Sequence, residues 1–287
     1  MKSTRVALYV APTLLIFFFL SGYPILYMLV ASFNQIDLYS FSWKFVGLNN
    51  YYSLLVKREF YITLENTLIW TLITTAGAFS LGLFCALLLN KEGIKFKNLF
   101  GALLFLPFAI GYVEAAFAWL WFTNPTLGIF NYILKSLGLI ENVKISLLST
   151  RWSALGVVML AQIWKHFPFM TMMIRAALQT VRKELYEAAE VDGAGLIGKF
   201  INVTVPQIKS TLVLSTLLML IWNFNSFTLV WVMTQGGPFG QTHIFSTAIY
   251  EKAFISFDLG SAAGLSSIVF IVVFTIAILY LKILKYG

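Results

Sequence analysis

Long apolar stretches separated by short polar ones dominate the chain. Six of them reach the roughly 20 residues that an α-helix needs to cross a bilayer core of about 30 Å. They cover about residues 7–33, 67–90, 99–122, 152–176, 208–233 and 259–284. None shows the alternation of apolar and polar positions typical of membrane β-barrels. The pattern therefore predicts an all-α polytopic membrane protein with six transmembrane helices.

The first apolar stretch follows a short basic start, as a signal peptide would. It continues to the full length of a membrane span without a small-x-small cleavage site, so we interpret it as a span. The intervals between spans are all shorter than the roughly 50 residues of the smallest soluble domains. We expect residues 1–287 to form a single transmembrane domain.

Composition supports this class. Hydrophobic residues make up 59% of the chain and charged residues 11%, against about 25% charged in soluble domains. The single cysteine, Cys85, excludes a disulfide framework, and the isolated His166 and His243 form no cluster of zinc ligands. We expect no metal site and no catalytic residue.

The net charge of +8 bears on the orientation of the chain in the membrane. With the N-terminus inside, the inner segments carry eleven basic residues and the outer segments seven, which satisfies the positive-inside rule. The inner ones are Lys2, Arg5, Lys91, Lys95, Lys97, Arg182, Lys183, Lys199, Lys209, Lys282 and Lys285. The outer ones are Lys44, Lys57, Arg58, Lys135, Lys144, Arg151 and Lys252. We therefore expect both termini in the cytoplasm and no nucleic-acid partner.

The inner loop between the fourth and fifth spans, residues 178–206, has a pattern of its own. Good helix formers at 184–192 are followed by Gly193 and Gly195, which favour a turn. A second short helix leads to Pro206, which suits the start of a helix. Such a unit could dock a partner, or it could be a solvated connector.

This loop resembles the EAA loop of membrane subunits of binding-protein-dependent ABC importers. The phrase Tyr-Glu-Ala-Ala-x-x-Asp-Gly-Ala is intact at 186–194, and a proline closes the loop. The positions that match the family's ATPase-coupling motif are Glu187, Ala188, Ala189, Asp192, Gly193 and Pro206. Thr-Gln-Gly-Gly-Pro at 234–238 is similar to a phrase of the carbohydrate branch, the maltose and glycerol-3-phosphate type.

The resemblance implies a permease subunit of a sugar importer in a prokaryotic cell membrane. It implies as partners a second homologous permease subunit, two ATP-binding subunits, an extracytoplasmic solute-binding protein, a carbohydrate and the lipid bilayer. ATP and Mg would be bound by the ATPase subunits, with no cofactor in this chain. Gly193-x-x-x-x-Gly198-Lys199 imitates a P-loop. Phe200 stands where the magnesium-binding hydroxyl belongs, so we expect no ATP hydrolysis here.

Ionisable groups inside spans are functional candidates. Lys165 and His166 lie near the middle of the fourth span, and Glu114 lies in the third. Either Lys165 forms a structural ion pair with Glu114, or Lys165 or His166 lies in the solute path. We also expect Pro107 and Pro168 to kink these two spans.

In the fifth span, Trp222, Asn223 and Ser226 are spaced to share one helical face. An indole beside amide and hydroxyl groups suits a sugar, although the same groups can hold helices together; Asn225 should point elsewhere. In the maltose-type subunits that the chain resembles, the sugar is contacted by an aromatic-Asn pair, by a residue three further on, and by an aromatic residue that precedes the EAA glutamate. These correspond to Trp222, Asn223, Ser226 and Phe169, the last replacing a tyrosine.

Three alternatives remain open. The first is an ABC importer for glycerol phosphate or another non-sugar solute, with Lys165 meeting the anion. The second is half of a secondary transporter, which would not need the EAA loop. The third is a membrane-embedded transferase, which would need clustered acids or histidines.

Overall fold

A computed structural model describes residues 2–37, 40, 42–91, 93–142, 144 and 146–286, with the side chains of 2–8, 279 and 281–286 outside the description. Lys2, Arg5, Lys282 and Lys285 of the charge count therefore lie outside the described side chains. The chain starts with α1 (Lys2–Phe17), a π-helical turn (Phe18–Gly22) and α2 (Tyr23–Ser32), which together cover the predicted first span. A β-hairpin follows, with β1 (Asn34–Asp37) antiparallel to β2 (Ser42–Phe45).

The next elements carry the second to fourth spans. They are α3 (Asn49–Leu55), α4 (Arg58–Asn90), α5 (Lys97–Ala109), α6 (Tyr112–Phe122), α7 (Phe130–Ser136) and α8 (Arg151–Leu178). The core is the contact between α4 and α8, the most extensive between any two described helices. Gly82 permits this contact, because a Cβ atom there would overlap the Cβ atom of Met170.

The inner loop and the last two spans complete the chain. They comprise α9 (Lys183–Val191), α10 (Leu196–Lys199), a π-helical turn (Phe200–Thr204), α11 (Val205–Phe224), α12 (Thr228–Thr234), α13 (Phe245–Tyr250), a further π-helical turn (Glu251–Ile255) and α14 (Leu259–Tyr286). Among the described residues, five helical stretches are long and apolar enough to cross a membrane, and the bent pair α5–α6 makes a sixth. The all-α polytopic class is confirmed, whereas the orientation stays a prediction.

Two spans differ from the uninterrupted helices of the prediction. The third bends by 94° between Ala109 and Tyr112, a few residues beyond Pro107. The fifth breaks after Phe224, where the Asn225 amide donates to the carbonyl of Ile221, 2.9 Å away. Such a bond competes with the helix's own hydrogen bonding. By contrast, α8 continues through Pro168 without a break.

Pro206 is the second residue of α11, in keeping with its predicted place at the start of the fifth span. The chain before it is also helical, because α10 and the π-helical turn lead directly into α11. Pro206 therefore lies about three turns inside a helical stretch that begins at Leu196. Proline removes a backbone donor and its ring crowds the preceding turn, and the widened π-helical turn directly before it accommodates both effects.

Candidate functional sites

The bend of the third span is held by a lysine from another helix. Lys165 of α8 is 2% exposed, and its Nζ donates to the carbonyls of Pro107 (3.3 Å), Phe108 (3.4 Å) and Ile110. These carbonyls lie at the C-terminal end of α5, where the bend leaves backbone acceptors without helical donors. Lys165 therefore caps the broken helix.

This arrangement differs from the predicted ion pair of Lys165 with Glu114. No salt bridge within 4.0 Å joins the two among the described side chains, although they interact electrostatically. Glu114 lies in the first turn of α6, and its side chain folds back over Gly111, where a Cβ atom would overlap its carboxylate. The bend at Gly111 thus separates the carboxylate from the ammonium.

A chain of buried polar groups runs behind the bend. The hydroxyl of Tyr112 lies 2.7 Å from Nε2 of His166, and Nδ1 of His166 lies 3.1 Å from Oδ1 of Asn223. Oδ1 of Asn223 also accepts from Nε2 of Gln162 (2.8 Å), while Nδ2 of Asn223 donates to Oγ1 of Thr75 (2.9 Å). Asn223 therefore ties α4, α8 and α11 together.

A chamber of about 470 Å³ opens between the broken third and fifth spans. Phe108 and Tyr112 come from the third span and Lys165 from α8. The fifth span contributes Trp222, Asn225, Ser226, Phe227 and Thr228. Aromatic faces thus stand beside amide and hydroxyl groups in one concave wall, a combination typical of small-molecule sites.

The structure separates the residues predicted for the solute path into two groups. Trp222, Ser226 and Lys165 line the chamber, whereas the side chains of Asn223 and His166 lie behind its wall, 0% and 1% exposed. The expected shared face of Trp222, Asn223 and Ser226 is absent because α11 ends at Phe224. Beyond that end the chain turns, and Asn225, expected to point elsewhere, enters the wall instead.

Phe169 lies at the edge of the chamber in an aromatic cluster. Its ring stacks on Phe108 (centroids 5.8 Å apart) and contacts Trp222 (4.9 Å). It therefore supports two residues of the wall.

Phe108, Tyr112, Asn225, Phe227 and Thr228 also line the chamber but were not predicted from the sequence. The available signal was the phrase Trp-Asn-Phe-Asn-Ser at 222–226, in which two amides interrupt an apolar helix. Such amides favour helix ends over interiors.

The predicted helix–turn–helix unit is present in the inner loop. At the end of α9 the N–H of Gly193 donates to the carbonyl of Glu190 (3.0 Å), and the N–H of Ala194 donates to that of Ala189 (2.8 Å). This is a Schellman termination, which needs a residue in the left-handed region. Gly193, with φ +80°, supplies it.

The loop is tied to the body while part of its surface stays uncovered. The Tyr186 hydroxyl lies 3.0 Å from Oγ1 of Thr204, and Lys199 pairs with Glu190 (2.7 Å), which lowers the pKa of the Glu190 carboxyl. Glu187, Ala188 and Asp192 are exposed and Ala189 is half-buried. Next to them Val191 and Leu196 are each 88% exposed.

Among the described residues, no group of three or more His, Cys, Asp or Glu is placed to hold a metal ion.

Comparison with known proteins identifies relatives over nearly the whole chain. The chain is 34% identical over 242 residues to the trehalose/maltose transport system permease protein MalF of Thermococcus litoralis, covering 83% of this chain and 79% of that protein. It is 32% identical over 279 residues to the sulfoquinovosyl glycerol transport system permease protein SmoG of Agrobacterium fabrum, covering 97% and 89%.

Among solved structures, a chain of a bacterial ABC transporter involved in the import of the acidic polysaccharide alginate has the same fold. Its TM-score is 0.84 at 20% identity, with 99% of this chain and 96% of that chain covered. A chain of the MetNI methionine ABC transporter matches with a TM-score of 0.57 at 16% identity, over 78% and 94%.

A family model described as "Binding-protein-dependent transport system inner membrane component" matches residues 78–284, which include the bend, the inner loop and both last spans. Together with the two permease relatives, this match shows that the chain belongs to the family of inner membrane components of binding-protein-dependent ABC transporters.

Proposed function

We propose that this chain forms one half of the translocation pathway for a carbohydrate, with the chamber between the two broken spans as its solute-contacting surface. The observation that carries the proposal is the wall itself, in which Trp222 and Phe227 stand beside Asn225, Ser226 and Thr228. Aromatic faces pack against the apolar faces of sugar rings, while short polar groups bond to their hydroxyls.

The names of the relatives support the same solute class. Two permease relatives are named for trehalose and maltose and for sulfoquinovosyl glycerol, and the solved neighbour imports alginate. Family membership excludes the secondary-transporter and membrane-enzyme alternatives. The chain is a membrane subunit that works with a partner permease, ATPase subunits and a solute-binding protein, and ATP hydrolysis belongs to the ATPase.

We assign different parts to the predicted pathway residues. Trp222 and Ser226 contact the solute together with Asn225, and Phe169 fixes the Trp222 ring. Lys165 holds the bend in the third span. Asn223 and His166 brace the wall from behind, which their burial and mutual hydrogen bond favour.

The inner loop is the proposed coupling element. The exposed Glu187 and Ala188, flanked by Val191 and Leu196, form a small surface in which a carboxylate stands beside apolar groups. Gly193 and Asp192 turn the chain at its end, and Ala189 is half-buried beside it. The continuous helix through Pro206 into α11 then connects the surface mechanically to the chamber wall.

Uptake into proteoliposomes tests the proposal. The complete complex, supplied with its binding protein and internal ATP, should accumulate a labelled sugar, and Trp222→Ala should slow uptake because the aromatic platform is lost. Leu72→Ala, an exposed apolar truncation on α4 away from the chamber lining, is the matched control and should transport normally. Equal uptake by all three proteins would contradict the assignment of the chamber.

A further inference from the structure

The charge of the chamber wall determines whether charged sugars can pass through it. This inference rests on the proposed function of the chamber. Lys165 is the one charged residue among the described residues that line the chamber. An ammonium group has three N–H donors, and the carbonyls of Pro107, Phe108 and Ile110 provide three acceptors for them. No N–H of Lys165 is therefore left for a solute.

The positive charge itself is also shielded from the chamber. Nζ of Lys165 lies 4.5 Å from the centroid of the Tyr112 ring, which covers it on one side. Glu114 also interacts with it electrostatically. The three carbonyls and the Tyr112 ring thus hold the ammonium group as a structural cation.

Tyr112 presents its oxygen to the chamber mainly as an acceptor. Nδ1 of His166 lies 3.1 Å from Oδ1 of Asn223, which can only accept, and 3.3 Å from Nε2 of Gln162, which can only donate. The shorter contact favours the tautomer in which Nδ1 donates and Nε2 accepts. In that tautomer the Tyr112 hydroxyl donates to Nε2, 2.7 Å away. Tyr112 lines the chamber, and the lone pairs of its oxygen can accept from an O–H group of a solute but not from a carboxylate, which has no hydrogen to donate.

We propose that this chamber passes neutral, hydroxyl-rich sugars and discriminates against sugars that carry a carboxylate, sulfonate or phosphate. The polar groups still available are the Asn225 amide, the Trp222 indole N–H and the hydroxyls of Ser226 and Thr228. All of them are neutral. Desolvating an anionic group needs charge-assisted donors or a free cation, and the described wall offers neither. Lys165 is a positioning residue for the bend.

Transport of a matched pair of solutes tests this directly. Uptake of trehalose is compared with uptake of a disaccharide in which one sugar is a uronic acid, each at a concentration that saturates the binding protein. The anionic sugar should be transported at least about tenfold more slowly. Comparable rates would overturn the proposal.

If the binding protein does not bind the anionic sugar, a thiol-labelling experiment tests the charge of the chamber instead. In a Cys85→Ala background, which removes the single native cysteine, Asn225→Cys places a thiol in the chamber. Phe239→Cys, on a turn where the native side chain is 96% exposed, serves as the control. Anionic and cationic methanethiosulfonates of equal size are compared, with labelling measured by mass spectrometry.

The anionic-to-cationic rate ratio at Asn225→Cys should equal that of the control or fall below it. A ratio about tenfold higher at Asn225→Cys than at the control, as a basic cleft with a free cation produces, would overturn the proposal. Loss of this excess in a Lys165→Met background would identify Lys165 as the free cation, and its persistence would identify another group. Failure of every sugar to be transported, with a low labelling ratio, would instead refute the proposed carbohydrate function and leave the charge assignment standing.

Discussion

At the scale of single residues, the buried amide of Asn223 holds three helices through Gln162, His166 and Thr75. Asn223→Ala removes the partner of each of these groups, and a buried polar group left unpaired costs about 1–3 kcal/mol. We expect the purified complex to unfold at a clearly lower temperature. Asn90→Ala, which removes an exposed amide at the last residue of α4, is the control and should leave the unfolding temperature nearly unchanged. Equal temperatures for wild type and Asn223→Ala would contradict the bracing assignment.

The contact between α4 and α8 gives a second prediction at this scale. Gly82→Ala places a Cβ atom against the Cβ of Met170 and 3.0 Å from the backbone nitrogen of Thr171, which cannot move independently of the helix. Overpacking of this kind costs about 1–3 kcal/mol, so thermal stability should fall. Gly156→Ala, also in this helix pair but with open space around the new Cβ, should keep or raise stability. If both variants behaved alike, the close approach would be wrong.

Residue positions were predictable only where helical periodicity continues. Counting along an unbroken helix placed Asn223 toward the solute and Asn225 away from it, and the structure reverses the two. The cause is local, because the Asn225 side chain bonds to the Ile221 carbonyl and ends the helix. Sequence spacing carries no information about that competition.

At the scale of elements, the lengths of the apolar stretches predicted the helices well, since bilayer thickness sets their length. The bend of the third span was expected near Pro107, but its sharpness was not. It depends on Lys165, which comes from a different helix and supplies the donors that the broken end lacks. A contact between elements so distant in sequence cannot be inferred from either element alone.

The turn that ends α9 gives a prediction about an element. Gly193 lies in the left-handed region, a conformation that costs a residue with a Cβ about 1 kcal/mol or more. Gly193→Ala should therefore misdirect α10 and lower ATPase stimulation by the loaded binding protein. Gly195→Ala is the matched control, because Gly195 has φ −69° and open space around it. Stimulation that is equally reduced in both variants would show that the left-handed turn is unimportant.

At the scale of the whole molecule, one helical stretch begins at Leu196 and leads through Pro206 to the chamber wall at Trp222. The turn at Gly193 joins its start to α9, which carries the proposed coupling surface. Movement of α9 can therefore reach Trp222 through this turn and the helical stretch. Coupling is a free-energy link between two sites, and this helical stretch is the candidate structure for transmitting it. The sequence predicted the two sites through the family resemblance, while the helical connection through Pro206 emerged only from the structure.

The most direct test of this account measures ATP hydrolysis by the complete complex, with and without sugar-loaded binding protein, for wild type and Glu187→Lys. We predict that the loaded binding protein stimulates the wild type, and that Glu187→Lys assembles but shows only basal hydrolysis, because the reversed charge disrupts docking at the exposed surface of α9. Glu141→Lys, the same change on the predicted outer face, should retain stimulation. Full stimulation of the Glu187→Lys complex would contradict the assignment of the inner loop as the coupling element.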